Sequence, residues 1–284
     1  MFDRAVVVGV GLLGASLGMA LRSRGLCRSV VGVGRNPETL EKAREQGAID
    51  DFDVCLEHVL PADLVVLATP PAAVPGYLQA LKQFSGSSGD MVITDVASTK
   101  AAICGLAARL WPENRPFVGA HPMAGGEKWG PEWANPQLYQ NAVCFVERSE
   151  TGIDPMAYTR VVKLWNAVGC RVVEIDPQSH DRFLSRTSHL PHVAAAALAM
   201  AAARVGADSR FIGNGFRDAT RIAAGRAEIW RDICLTNRQE ILEALREYSK
   251  ILGLFSDALE TGDGAGLEKL FDQAREARRE VTGS

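Results

Sequence analysis

The chain has 284 residues, 47% of them hydrophobic and 23% charged, which excludes a disordered polymer and allows one large or two modest domains. A net charge of -3 leaves no overall basic footprint for nucleic acid, although local cations could still hold a small anionic substrate. The six cysteines (Cys27, Cys55, Cys104, Cys144, Cys170 and Cys234) contain no C-x-x-C pair and fit no metal spacing, so free thiols in a reducing cytoplasm are expected.

In chain order, residues 5–8 read as a buried strand, 12–24 as a helix, 29–33 as a strand and 37–46 as a helix with Pro37 in its first turn. A strand at 63–68 and a helix at 72–84 follow, then a strand at 91–94, a helix at 100–110 and a short strand at 116–120. Two further strands, 142–146 and 171–175, flank a helix at 155–167. This alternation, with nearly continuous Val/Ile/Leu strands, predicts an α/β fold with a mostly parallel, Rossmann-type sheet covered on both faces. Beyond Asp176 the strand signal ends, and 177–206, 209–215, 228–255 and 267–281 all read as helical, which puts a boundary near residue 175. The apolar run 5–21 after Arg4 superficially resembles a secretory signal, but it holds a strand, a turn and a helix that the fold requires. The run 193–203 is too short to span a bilayer, and no membrane association is expected.

Gly9-Val10-Gly11-Leu12-Leu13-Gly14 follows the first strand and opens the first helix. In that context a G-x-G-x-x-G turn is a dinucleotide cradle: Gly9 for the tight turn, Gly11 for close approach of a pyrophosphate, and Gly14 for helix–strand packing. The second strand ends in Gly34-Arg35 with no acidic residue for a ribose 2′-hydroxyl, so Arg35 is a candidate 2′-phosphate ligand and NADP is expected over NAD. Thr69, Pro70 and Pro71 end a strand on the same edge and should face the cofactor, though a rigid turn would also explain the prolines.

Asp95-Val96-Ala97-Ser98-Thr99-Lys100 ends another strand. Ser98 either caps the next helix or reaches substrate, and Lys100 reads equally well as a surface cation. Gly119 to Glu127 contains His121 immediately after a strand in a Gly-rich loop, either a structural imidazole or a base for a substrate alcohol. His180-Asp181 and Ser188-His189-Leu190-Pro191-His192 open the helical region, with no carboxylate at a spacing that would make the pair a metal site. Arg217, Asp218 and Arg221 form either an internal ion pair or, through Arg221, a carboxylate clamp. Trp230 is either core or the wall of a substrate pocket.

Taken together, residues 9–16, Asp95 to Lys100, Ala120-His121-Pro122-Met123-Ala124-Gly125, His180-Asp181, Ser188 to His192, 215–223 and Trp230-Arg231-Asp232-Ile233 resemble the prephenate/arogenate dehydrogenase family. The likeness runs to about Asn237. It implies a dinucleotide-binding domain, 1–175, followed by an all-helical substrate and dimerisation domain, 176–284, forming a homodimer. It implies His121 as the catalytic histidine on the ring hydroxyl, helped by Ser98, with His189 or His192 and Arg221 near the substrate. The implied reaction is oxidative decarboxylation of arogenate or prephenate to tyrosine or 4-hydroxyphenylpyruvate. One departure is visible: Gly225-Arg226-Ala227 stands where the family often has Asp-Pro before the Trp. The alternatives are another NADP-dependent hydroxyacid dehydrogenase or imine reductase, and a non-catalytic NADP-binding redox sensor.

Overall fold

The computed structural model describes residues 1–84, 91–126, 128–148 and 152–283; Glu127, at the end of the His121 loop motif, lies outside them. Six strands, β1 (Phe2–Val8), β2 (Cys27–Val33), β3 (Asp51–Asp53), β4 (Leu64–Leu67), β5 (Val92–Asp95) and β6 (Phe117–Val118), form one sheet in the order β3-β2-β1-β4-β5-β6. Every pairing in it is parallel, with Val6 of β1 opposite Val31 and Val65. This is the doubly wound dinucleotide order, whose switch point lies between β1 and β4.

Both faces are covered, which is why the strands read as unbroken apolar runs. Ala5, Val7, Val30 and Val66 join one core with α1 (Leu12–Ser23), α2 (Pro37–Glu45) and α5 (Pro155–Ala167). Their neighbours Val6, Val8, Val31 and Val65 join the other with α3 (Val74–Lys82) and α4 (Ala101–Leu110). Asn36 caps α2 by accepting from the Glu38 amide at 2.9 Å, with Pro37 in the first turn as the sequence predicts. The edge strand β3 has no counterpart in the sequence reading, because three residues carrying two aspartates show no apolar alternation.

The strand expected at 116–120 divides at Gly119. β6 stays in the main sheet, while β7 (Ala120–Pro122) pairs antiparallel with β8 (Val143–Glu147), which pairs parallel with β9 (Arg171–Ile175). A side chain at Gly119 would collide with the Cys104 sulfur, so only glycine permits this crossing. A buried pair holds the junction: Arg115 donates to Glu147 at 2.7 Å and to the Cys104 carbonyl at 3.1 Å, while Glu147 accepts from the Gly119 amide.

The region after Asp176 is helical, as expected: α6 (Pro177–Leu184), a π-helical turn (Ser185–His189), α7 (Leu190–Arg204), α8 (Asn214–Thr220) and α9 (Ala227–Thr236). The π turn interrupts what reads as one helix. Pro191 has no amide for the Thr187 carbonyl, so the register widens just where His189 sits. The residues read as helix from 209 instead form a single 3-10 turn, Ser209–Phe211, with α8 starting after Gly213.

Chain contacts define one compact unit, Met1–Arg238, and a second, Gln239–Ser284. The second comprises most of α10 (Arg238–Thr261) together with α11 (Gly264–Thr282), joined by an edge-on Phe255–Phe271 contact at 5.3 Å. No described helix is long and apolar enough to cross a membrane. All six cysteines are free, four of them buried.

Candidate active site

A cavity of about 820 Å³ opens at the C-terminal edge of the parallel sheet, wholly within Met1–Arg238. The ends of β1, β4 and β5 supply Gly11, Leu12, Leu13, Thr69, Pro70, Pro71 and Ser98. β7 supplies His121, and the helical region supplies His189, His192, Arg221 and Trp230. These residues are up to 219 positions apart in the chain, and the sheet edge brings them together.

The Gly-rich turn has room for a pyrophosphate. Gly9 sits at φ +92°, and a side chain there would strike the Ala68 carbonyl; one at Gly14 would strike the Gly9 carbonyl oxygen. A Cβ at Gly11 would meet nothing within 4 Å, so its open face is the cavity itself. The N-cap of α1 is Gly11, which offers no capping side chain, and this leaves the first amides as anion donors. Thr69 Oγ1 is buried with no hydrogen-bond partner among the described residues, as a ligand-facing hydroxyl would be. Tyr139 donates to the Leu13 carbonyl at 2.7 Å and Ser16 accepts from the Asn135 amide at 2.9 Å, pinning the stretch after β7 to this turn. The residues therefore fit a dinucleotide.

At the far end of the cavity, Asn36, Glu38, Thr39 and Lys42 line the wall. Arg35 is exposed beside them and is not itself a lining residue, nor is Gly34. Gly9 and Gly14 shape the turn from behind. Lys42 is a second cation at this end that the sequence reading passed over, because one lysine on an exposed helix carries no signal of its own.

His121 is 8% exposed on β7. Its Nδ1 lies 2.9 Å from His180 Nε2, and His180 Nδ1 lies 2.7 Å from the Asp181 carboxylate. That carboxylate accepts from the amides of Lys100 at 2.7 Å and Ala101 at 2.9 Å. An ionised carboxylate only accepts, so His180 donates from Nδ1 and presents a lone pair at Nε2. His121 must then donate from Nδ1, which leaves the lone pair of Nε2 as its second face. Burial pushes the His121 pKa well below the ordinary histidine range, and the nearby His180, Lys100 and His189 push the same way. A neutral imidazole with a fixed acceptor face can take up a proton at that face.

Lys100 is not the surface cation the sequence allowed. It is 2% exposed, bonded to Asp95 and, at 2.8 Å, to the Ala120 carbonyl, and Asp95 in turn accepts from the Ala120 amide at 2.9 Å. This pair braces the strand residue next to His121. Burial is also the main influence on Asp95, raising its carboxyl pKa despite Lys100. Ser98 does not cap α4, because the Asp181 carboxylate takes that role; Ser98 is half-buried in the cavity wall.

In the helical wall His192 donates from Nδ1 to the Ser188 carbonyl at 2.9 Å and stacks on Trp230 with ring centres 3.6 Å apart. Trp230 is thus pocket wall rather than core. Its indole nitrogen lies where a side chain on Gly225 would fall, and Arg226 reaches over the Trp129 ring at 4.9 Å. His189 is 1% exposed, with Nδ1 3.1 Å from Asn237 Nδ2. His180, Asp181 and Asn237 carry no assigned role in the sequence reading. His180 is 59 residues from His121, and nothing local signals their contact.

The model of the prephenate dehydrogenase nucleotide-binding domain matches residues 17–174, and that of the prephenate dehydrogenase dimerization domain matches 176–273. This chain belongs to the prephenate dehydrogenase family. Prephenate dehydrogenase of Bacillus subtilis (strain 168) is 32% identical over 98% of this chain and 76% of its own length. Cyclohexadienyl dehydrogenase of Zymomonas mobilis is 29% identical over 98% of this chain and 96% of its own length. Among solved structures, prephenate dehydrogenase from A. aeolicus, in complex with hydroxyphenyl propionate and NAD+, superimposes with a TM-score of 0.88 at 29% identity, covering 99% of each chain. Arogenate dehydrogenase of Synechocystis does so at 0.80 and 30% identity, covering 98% and 99%. A 3-hydroxyisobutyrate dehydrogenase from Salmonella typhimurium, at 17% identity and a TM-score of 0.57, shares the fold alone.

Proposed function

We propose that this enzyme oxidatively decarboxylates arogenate, prephenate or both with NADP, yielding tyrosine or 4-hydroxyphenylpyruvate. The observation that carries the reading is the Asp181–His180–His121 chain, which leaves a basic Nε2 among cavity-lining residues at the sheet edge. The bound nicotinamide supplies the hydride acceptor. Gly11, Leu12 and Leu13 hold the pyrophosphate and Thr69 to Pro71 flank the nicotinamide half, with Arg35 and Lys42 toward the 2′-phosphate. His121 Nε2 takes the ring hydroxyl proton, and Ser98 orients that hydroxyl. The positive charge arising on His121 is shared through His180 toward the Asp181 carboxylate, which two backbone amides hold in place. Arg221, His189 and His192 hold the acidic end of the substrate against Trp230. The carbonyl formed is conjugated to the carbon bearing the carboxylate, so loss of carbon dioxide has an electron sink and the ring becomes aromatic.

Residues 176–284 constitute the substrate and dimerisation domain of a cytoplasmic homodimer in this reading. The dimerization model over 176–273 and the exposed Ile251, Leu252, Leu254 and Leu259 of α10 support it. NAD is a second reading, favoured by the NAD+ complex of the A. aeolicus relative and by the exposure of Arg35. The test is absorbance at 340 nm with prephenate or arogenate and each of NADP and NAD. A rise with either acid is expected, fastest with NADP. No rise with any of the four combinations overturns the assignment.

A further inference from the structure

Asn237 is 4% exposed and lies at the end of α9, outside the catalytic chain described above. Its Nδ2 donates to the backbone carbonyl of Asp181 at 2.8 Å. That bond decides which way the amide faces, because the opposite orientation would set its oxygen against the Asp181 oxygen. The second proton on Nδ2 points to His189 Nδ1 at 3.1 Å, so Nδ1 must hold a lone pair. A neutral imidazole then carries its proton on Nε2. Burial keeps this ring neutral, with its pKa at about 4; Asp181 pulls the value up while His180 and His192 pull it down. His189 Nε2 is buried with no hydrogen-bond partner among the described residues, and His189 lines the cavity. A buried N–H left unmade is costly, and a ligand acceptor would remove that cost.

We propose that Asn237 is a positioning residue that fixes His189 as an N–H donor to a carboxylate oxygen of the substrate. The inference rests on the dehydrogenase reading and deepens it. Asp181 is the common root of two opposite assignments. Its carboxylate makes His121 an acceptor at Nε2, and its backbone carbonyl, through Asn237, makes His189 a donor at Nε2. The cavity therefore has a polarity. The hydroxyl end of the substrate matches His121 and the acidic end matches His189; a reversed substrate would set a carboxylate against a lone pair.

The test uses the full chain labelled with ¹⁵N in its histidines. Long-range ¹H–¹⁵N correlation at pH 8 should show His189 protonated at Nε2 and bare at Nδ1, with the Nε2 signal moving when 4-hydroxyphenylpropionate binds alongside NADP. In Asn237→Asp the new carboxylate accepts from Nδ1–H and reverses the tautomer. Affinity for 4-hydroxyphenylpropionate by calorimetry should then fall about 10- to 100-fold at pH 8, the loss of a bond to a charged group. It should recover as pH falls and the ring gains its second proton, and KM should move more than kcat. The groups facing His189 are Asp181 and His180 on α6, His192 on α7 and His121 on β7, and wild-type binding should show no such recovery above pH 6. A wild-type ring protonated at Nδ1, or a folded Asn237→Asp that keeps full affinity at pH 8, overturns the proposal. Should that variant not fold, the wild-type spectrum decides alone. Failure of the wild type to bind the probe, or to turn over either acid, with both NADP and NAD would instead overturn the dehydrogenase reading.

Discussion

At His121 the fold favours a neutral imidazole where water would leave the ring half protonated near its ordinary value of about 6.5. Burial and three basic neighbours strip its charge, and a carboxylate two rings away fixes which nitrogen is bare. His121→Asn should lower turnover at saturating substrate by ~100-fold or more, the usual contribution of a general base, with folding unchanged by circular dichroism. Near-normal turnover would remove His121 from the mechanism. The pH profile has a definite sign. The base works when deprotonated and its pKa is depressed, so the acid limb of kcat/KM should lie below the ordinary value of about 6.5. A limb above 7 would contradict the burial argument. Asp181→Asn should cut kcat by about 10²-fold or more, because an amide can hold His180 in the other tautomer and deprive His121 of its acceptor face.

Elements matter here through where they stop. β1, β4 and β5 end at one edge, and each hands over to a turn whose residues enter the cavity. The turn after β1 tolerates no bulk at Gly14, which touches the Gly9 carbonyl. Gly14→Val should weaken nicotinamide dinucleotide binding at least tenfold in a fluorescence titration, and a variant with native affinity would show that the turn can open. The loop before α9 carries a subtler constraint. Gly225, at the departure from the family's usual Asp-Pro, lets Trp230 approach the backbone. A larger residue there should displace the indole on which His192 stacks, so Gly225→Asp should raise KM with less effect on kcat. Unchanged KM would mean that Trp230 is not a substrate wall.

At the scale of the molecule, the buried histidines tie stability to pH. His189 sits at about 4 when folded, against about 6.5 unfolded, so between those values the unfolded chain binds more protons. Stability is therefore fully present above pH 6.5 and declines as pH falls toward 4, by on the order of 3 kcal/mol for this ring, with His121 adding in the same direction. Urea midpoints measured at pH 8 and pH 5 should show the drop; equal midpoints would refute it.

Local pattern was enough for the strand–helix alternation, the phosphate turn and the change to helix after Asp176, because these depend on periodicity and on glycine at fixed offsets. It also singled out His121, Ser98, His189, His192, Arg221 and Trp230, which the cavity brings together. Periodicity could not reveal the acidic edge strand β3, the break at Gly119 or the π turn before α7, since each answers to a distant packing partner or a missing amide. The protonation pattern was beyond it altogether. Which nitrogen of His121 or His189 is bare depends on hydrogen bonds from residues 59 and 48 positions away, and burial, which sets their charge, exists only once the chain has folded.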